Sequence, residues 1–329
     1  MRHIGAVLAI AGVALAAILF ARENVGEIVA LVIAAGPGLV LAALFHVLPM
    51  VANALAWQRL LSPPQRPRVR ILTFATWLRE SVNGLLPVAR IGGEIVAYRI
   101  VRRHVARRSE AAASLVADMA LSILSQTGFA LFGLALLFVI GHASAATTQL
   151  VVGIAGMIAL GIGFVLAQRA GALGAVTGIL DRLVAGRLRV VHTQSLRFDR
   201  ALRAVYLRRR DVGACFAWQL AGWSLGAGEI WLALYFLGQQ RGILDAVVIE
   251  ALIQAISSAA FIVPGALGVQ EGGFVLIGAA LGIDAATALA LATARRLRDV
   301  IIFFPGLFAW QWAETRIRSV RSASASPLR

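Results

Sequence analysis

Residues 79–94 read RESVNGLLPVARIGGE, and they lie between two runs that would otherwise pass for membrane helix. The stretch holds two arginines, two glutamates, one asparagine, one proline and three glycines. In hydrocarbon each charge is costly, and proline and glycine interrupt the helical hydrogen-bond ladder. One continuous span cannot carry all of them. Two half-helices meeting at a break can, provided protein surrounds the freed backbone groups.

The rest of the chain makes a membrane setting the natural one. Its 329 residues are 60% hydrophobic with a mean hydropathy of +0.83, whereas soluble domains are about 45–50% apolar. Apolar runs such as Ile4–Phe20, Leu121–Ile140, Leu150–Ala167 and Val212–Leu237 approach or reach the length of a span, for which ~20 residues suffice. The chain reads as an all-α polytopic membrane protein. Arg2 and His3 ahead of the first run resemble a signal peptide, but the remaining hydrophobicity favours an uncleaved first span.

A net charge of +15 could suggest nucleic acid, yet the 31 basic residues are all arginine and lie in short connections between apolar runs. That placement is what the positive-inside rule requires, with attraction to anionic headgroups as a compatible extra. One cysteine, Cys215, and five scattered histidines exclude a disulfide framework and speak against a metal cluster. There is no P-loop, dinucleotide fingerprint or Ser/His/Asp pattern, so neither a cofactor nor a catalytic motif is expected.

Arginine counting sets the topology. Residues 62–70, 99–108, 168–211 and the tail beyond Thr315 are strongly basic. Residues 21–36, 141–149 and 239–245 are not. Placing the basic set in the cytoplasm puts both termini there too. Both flanks of residues 71–98 are then cytoplasmic, while the segment is too short for two spans of ~20 residues. It reads as a re-entrant hairpin broken from Asn83-Gly84 to Pro87. Residues 246–283 face the same constraint from outside and break at Pro264-Gly265 and Gly268.

The two hairpins match in detail. Pro87–Glu94 and Pro264–Glu271 both read Pro-x-Ala-x4-Glu, with glycines (Gly92 and Gly93; Gly265 and Gly268) ahead of the acid, at an offset of 264 − 87 = 271 − 94 = 177. The reading is a single domain, residues 1–315, with repeat one at about 37–141 and repeat two at about 212–313. Between them lies a cytoplasmic amphipathic insert at 168–211, of the kind that lies on an anionic surface. A basic cytoplasmic tail follows at 316–329, in which Ser322, Ala323, Ser324 and Ala325 lead to a disordered end. The two repeats have opposite topology, an arrangement of about six spans and two hairpins that recurs in transporters.

The pattern Arg79-x3-Asn83-x3-Pro87-x2-Arg90-x-Gly92-Gly93-Glu94, followed by Pro264-Gly265-x2-Gly268-x2-Glu271, resembles the flippase-type membrane domain of lysylphosphatidylglycerol synthases and its stand-alone relatives. Among these it is most similar to the short members associated with hopanoid biosynthesis. The resemblance covers about residues 37–308 and implies a bacterial inner-membrane protein that binds and translocates a lipid. Asp118 has no neighbouring arginine and Gln270 stands where an arginine is common, so headgroup specificity does not carry over. The chain ends soon after its last apolar run, without the soluble aminoacyl-transferase domain, so neither does synthase activity.

Ionisable groups inside membrane segments are functional candidates by default. Arg79 and Arg90 suit a lipid phosphate, because a guanidinium is a forked donor matched to it. Ion pairing with Glu80 or Glu94 is the structural alternative, and Asn83 can satisfy backbone freed at the break. Arg295, Arg298 and Asp299 share a helix face and form either a second headgroup site or partners for Glu271. Glu94 and Glu271 suit helix N-terminal capping, proton acceptance or neutralisation of the arginines. Asp118, with Ser122, Ser125 and Gln126 following, forms an inward polar stripe, and Glu229 and Glu250 also point inward.

The function expected is a lipid translocase whose cargo is an anionic phospholipid, a polyprenyl-linked lipid or a hopanoid. The runner-up is a membrane-embedded lipid-modifying transferase or an accessory subunit of a lipid biosynthesis complex. Partners are therefore membrane lipid and lipid-biosynthesis proteins, with a homodimer compatible and no nucleic acid.

Overall fold

With no water to satisfy the backbone, a spanning chain must bond its own N–H and C=O groups, which makes it helical. The computed structural model describes residues 2–63, 66–86, 92–140, 189–260 and 263–325, with the isolated helical positions 148, 152 and 156. Among the described residues every regular element is a helix. The order begins α1 (Arg2–Arg22), α2 (Val25–Ala35), α3 (Pro37–Phe45), α4 (Val47–Leu60), α5 (Val69–Leu85), α6 (Gly92–Val101) and α7 (Arg108–Ile140). It continues with α8 (Arg189–Leu207), α9 (Arg209–Phe236), α10 (Ile243–Ala259), α11 (Val269–Ala280), α12 (Ala285–Arg298) and α13 (Phe304–Ala325). A 3₁₀ turn, Pro264–Ala266, precedes α11, and a π turn, Asp299–Phe303, joins α12 to α13.

Local chemistry sets the breaks. Asn24 caps α2 by accepting the Glu27 N–H at 3.4 Å. Gly36, at φ +49°, turns the chain into Pro37, the first residue of α3. His46 alone separates α3 from α4. Leu86 is extended at φ −108°, ψ 146°, as a residue ahead of proline must be. The first break therefore starts later than expected: Asn83 and Gly84 lie in the last turn of α5, and Pro87 imposes the stop. Pro87 itself and Arg90 lie outside the described residues.

The surface is inverted relative to a protein in water. Val139 and Ile33 are 79% and 72% exposed, whereas Asp118, Glu250, Arg295 and Glu271 are all buried. Apolar side chains outside and charges inside suit a hydrocarbon solvent. Two helical stretches, Pro37–Leu60 and Arg108–Ile140, are each long and apolar enough to cross a bilayer. The latter, at 33 residues, extends about 50 Å. α9 is long enough at 28 residues but carries four charges, Arg209, Arg210, Asp211 and Glu229. The run at 150–167 lies outside the described residues apart from positions 152 and 156.

The element order recurs. A long stretch (α3–α4, then α9) is followed by a half-length pair (α5–α6, then α10–α11) and another long stretch (α7, then α12–α13). α5 and α10 each have 17 residues. The half-helices after the break start at Gly92 and Val269 and the next helices at Arg108 and Ala285, giving 269 − 92 = 285 − 108 = 177. Each pair has its own apolar packing, around Trp57, Leu72, Leu78 and Val101 in the first and around Ile249, Leu252, Phe274 and Leu289 in the second. α9 packs on α4, and α7 packs on α10, which ties the two sets together.

The insert forms helix α8 from residue 189, and its part from 168 to 188 lies outside the described residues. Residues 316–325 of the tail continue α13, and the end beyond Ala325, expected to be disordered, lies outside the described residues.

Candidate functional site

The polar interior starts with Arg79, two turns before the end of α5. Its guanidinium donates to Asp118 on α7 at 2.9 Å and lies 3.8 Å from Glu94 at the start of α6. It also sits over the Trp57 ring, 5.7 Å from the centroid, a favourable site for a cation. Asn83 bridges the break: its Oδ1 accepts the Gly93 N–H at 2.9 Å. α6 approaches so closely here that a Cβ on Gly93 would lie 2.2 Å from the Arg79 carbonyl oxygen. On the far side Gln219 of α9 donates to Asp118 Oδ1 at 3.0 Å and accepts from Ser125 at 3.2 Å. Gln126 donates to the Gln254 carbonyl at 2.9 Å and to Ser258 at 2.7 Å, so the polar stripe on α7 joins it to α9 and α10.

In the second pair Glu271 does what its place three residues into a helix allows. Its Oε2 accepts the Gly268 N–H at 2.6 Å, and its Oε1 accepts from Arg296 Nε at 2.9 Å. Arg296 also donates to the Gly265 carbonyl at 2.8 Å. Gly265 and Gly268 have φ of +60° and +75°, conformations that glycine adopts at least cost. A Cβ on Gly265 would lie 3.6 Å from the Gly84 carbonyl oxygen. The last turn of α5 therefore packs against the 3₁₀ turn of the second break.

Deeper, Arg295 grips Glu250 of α10 with contacts of 2.6 and 3.3 Å, and Gln254 donates to the same carboxylate at 2.7 Å. Asp118 and Arg295 occupy matching places, ten residues into α7 and α12 (118 − 108 and 295 − 285), but with opposite charge. Arg298 donates to Glu229 of α9 at 3.2 Å and also pairs with Asp299. His46 joins this group: its Nδ1 lies 2.7 Å from Glu229 and its Nε2 3.4 Å from Glu80. The π turn closes over them, with Phe303 edge-on to His46 at 5.6 Å and under Arg298 at 5.3 Å. Trp77 donates to the Ile302 carbonyl at 2.7 Å, satisfying an acceptor within that turn. A small cavity of about 10 Å³ beside Glu229, Arg295 and Arg298 has room for about one water.

Arg295 and Arg298 are not the partners of Glu271 that their shared face suggested; Arg296 is. A side chain 100° round the helix reaches Glu271, while Arg295 and Arg298 turn inward to Glu250 and Glu229. Their side chains are 4% and 8% exposed, against 26% for Arg296. Arg79 pairs chiefly with Asp118 rather than with Glu80 or Glu94. His46, Arg296, Gln219 and Trp77 escaped sequence reading. His46 left one signal, a lone histidine inside an apolar run. Among the described residues no group of three His, Cys, Asp or Glu side chains could hold a metal ion.

No curated protein matches the chain, and no solved structure does. A family model described as the lysylphosphatidylglycerol synthase TM region matches residues 4–306. That match spans nearly all of the two helix sets and both breaks, so the chain belongs to the lysylphosphatidylglycerol synthase transmembrane-region family.

Proposed function

We propose that the protein is a lipid translocase of the bacterial inner membrane. In this reading the pairs α5–α6 and α10–α11 are re-entrant hairpins of inverted topology, entering from opposite sides, with both termini cytoplasmic. A lipid presents its headgroup to the polar interior while its tails stay in the bilayer, and access alternates as the two repeats rock. The cargo class is a lipid with an anionic headgroup, of the phospholipid, polyprenyl-linked or hopanoid-derived kind. The chain acts without covalent chemistry, and transport runs downhill or on an ion gradient.

The observation that carries the reading is the packing of the end of α5 against the second break, with Arg296 bonded to that break. Arg79 and Arg296 are the arginines to assign to the headgroup. Both lie close to a break, and Arg296 is the most exposed of the inward set. A phosphate would displace the looser carboxylate, Glu94 at 3.8 Å, because a forked guanidinium–phosphate pair is short and charge-assisted. Arg90 belongs to the same proposal through its place in the motif. Arg295 and Arg298 serve as struts.

The test is leaflet exchange of fluorescent phosphatidylglycerol in proteoliposomes, read by dithionite quenching. Wild-type protein should exchange lipid well above protein-free vesicles, and Arg79→Ala or Arg296→Ala should slow exchange about tenfold or more, the effect of ~1.4 kcal/mol of lost binding. Exchange no faster than in protein-free vesicles sinks the proposal.

A further inference from the structure

His46 is the joint between α3 and α4, and charged side chains from three other helices meet its ring. From α5 comes Glu80, from α9 Glu229 and from α12 Arg298, whose Nη1 lies 3.4 Å from Nδ1 and which pairs in turn with Asp299 of the π turn. The Arg295–Glu250 pair lies behind Glu229. The aromatic neighbour is Phe303, which supplies no proton acceptor other than its ring. Each ring nitrogen of His46 therefore has a carboxylate oxygen as its nearest acid partner, Nδ1 at 2.7 Å and Nε2 at 3.4 Å. A neutral imidazole has one N–H and one lone pair, so it can serve only one carboxylate and turns a lone pair on the other. The imidazolium donates to both.

The wider charge balance points the same way. Among the described residues the interior network holds four arginines, 79, 295, 296 and 298. Against them stand seven carboxylates, Glu80, Glu94, Asp118, Glu229, Glu250, Glu271 and Asp299. Glu94 Oε2 is buried without a hydrogen-bond donor. An acid-rich interior of low dielectric must take up positive charge, and an anionic headgroup entering it makes the demand larger. Exposure falls from Glu80, at 23%, through His46, at 12%, to Glu229, at 6%, so Glu80 is the accessible end of this trio and Glu229 the enclosed end.

We infer that His46, held between Glu80 and Glu229, is a proton-binding site that loads the interior with positive charge when an anionic headgroup enters, making exchange proton-coupled. This rests on the translocase reading. The proton comes from water by way of the Glu80 carboxylate and is held on Nε2, with Nδ1–H bonded to Glu229. Losing it turns a ring lone pair toward Glu80. The strain falls on the α3–α4 joint, and on the π turn through Phe303, which is how the proton couples to helix movement.

Two measurements separate the proton site from the transport reading. In proteoliposomes with fluorescent phosphatidylglycerol, wild-type exchange should fall several-fold from ~pH 6 to ~pH 8, the range in which histidine charge changes, while His46→Gln should give a flat profile. Nitrogen NMR of histidine-labelled protein, with His46→Gln for assignment, should show one of the five histidines gaining a proton on its second ring nitrogen when phosphatidylglycerol is added to a zwitterionic bilayer. Exchange that is pH-independent in the wild type, pH-dependent in His46→Gln, or a His46 ring with a single proton throughout each overturns the inference. A doubly protonated His46 with no exchange at any pH upholds the proton site and overturns the transport reading. The NMR measurement stands even where His46→Gln fails to fold.

Discussion

Replacing Arg295 by methionine should be among the costliest single changes in the protein. The guanidinium meets Glu250 at 2.6 and 3.3 Å, and both side chains are buried, at 4% and 3% exposure. Helix α9 closes over them so tightly that a Cβ on Gly226 would lie 2.7 Å from Glu250 Oε1, leaving little room for hydrating water. Without Arg295, Glu250 keeps only the Gln254 amide, at 2.7 Å. Stranding one member of a buried pair costs about 3–5 kcal/mol, which lowers the ratio of folded to unfolded protein by about two to four powers of ten. The double variant Arg295→Met with Glu250→Met removes both charges and should recover most of the loss, since apolar replacement of a whole buried pair is often neutral or stabilising. Unfolding by sodium dodecyl sulfate in mixed micelles, followed by tryptophan fluorescence, measures all three. A loss below ~1 kcal/mol in the single variant, the value for exposed pairs, would refute the reasoning. So would a stable double variant that no longer exchanges lipid, because Arg295 would then be touching the cargo.

Two smaller predictions test the break and a loop. Gly268→Ala places a Cβ 2.3 Å from the Gly12 carbonyl oxygen at φ +75°. It should cost about 1–3 kcal/mol from backbone strain alone and should loosen α1, seen as faster proteolysis near Gly12. Asp284 caps α12 by accepting the Thr287 N–H at 2.8 Å, and Asp284→Ala should cost about 1 kcal/mol. Partial burial pushes this loop carboxyl up, but the hydrogen bonds from Thr287 outweigh it and hold the group below its usual range. A depressed folded value means that its contribution is full above the unfolded value of ~3.9 and is lost as pH falls through the folded one. A stability difference between wild type and Asp284→Ala that persists unchanged into strong acid would contradict this.

Much of the architecture was legible because bilayer physics leaves so few choices. Arginine placement and the impossibility of fitting two spans into residues 71–98 located both half-helix pairs, and the residue types at Pro87 and Pro264–Gly268 located their breaks. The identity of the inward charges was also legible, since a carboxylate or guanidinium in an apolar run has nowhere else to go. Their pairing was not. Arg295, Arg296 and Arg298 lie within four residues, and which one meets Glu271 depends on the rotation of α12 about its axis. That rotation is set by α10 and α11 packing around Leu289 and Phe274. Asn83 and Gly84 read as breakers in isolation, whereas Asn83 bonds to the partner half-helix and steadies the last turn of α5, so the break starts about one turn later. The role of His46 is not legible in the sequence, because its partners, Glu80 and Glu229, are 34 and 183 residues away along the chain.

The matching positions of Asp118 and Arg295 bear on how two such halves coexist. Each lies on the long helix that follows a half-helix pair, and each binds a partner of opposite sign on the preceding half-helix, Arg79 on α5 or Glu250 on α10. Each half therefore satisfies these charges internally, so a movement between the halves need not break either buried pair. The charged contacts that do link the halves, His46 to Glu229 and to Arg298, centre on the one side chain of the set whose charge can change near neutral pH. The permanent pairs thus hold each half rigid, and the histidine-centred contact between them is the one that can be made and released.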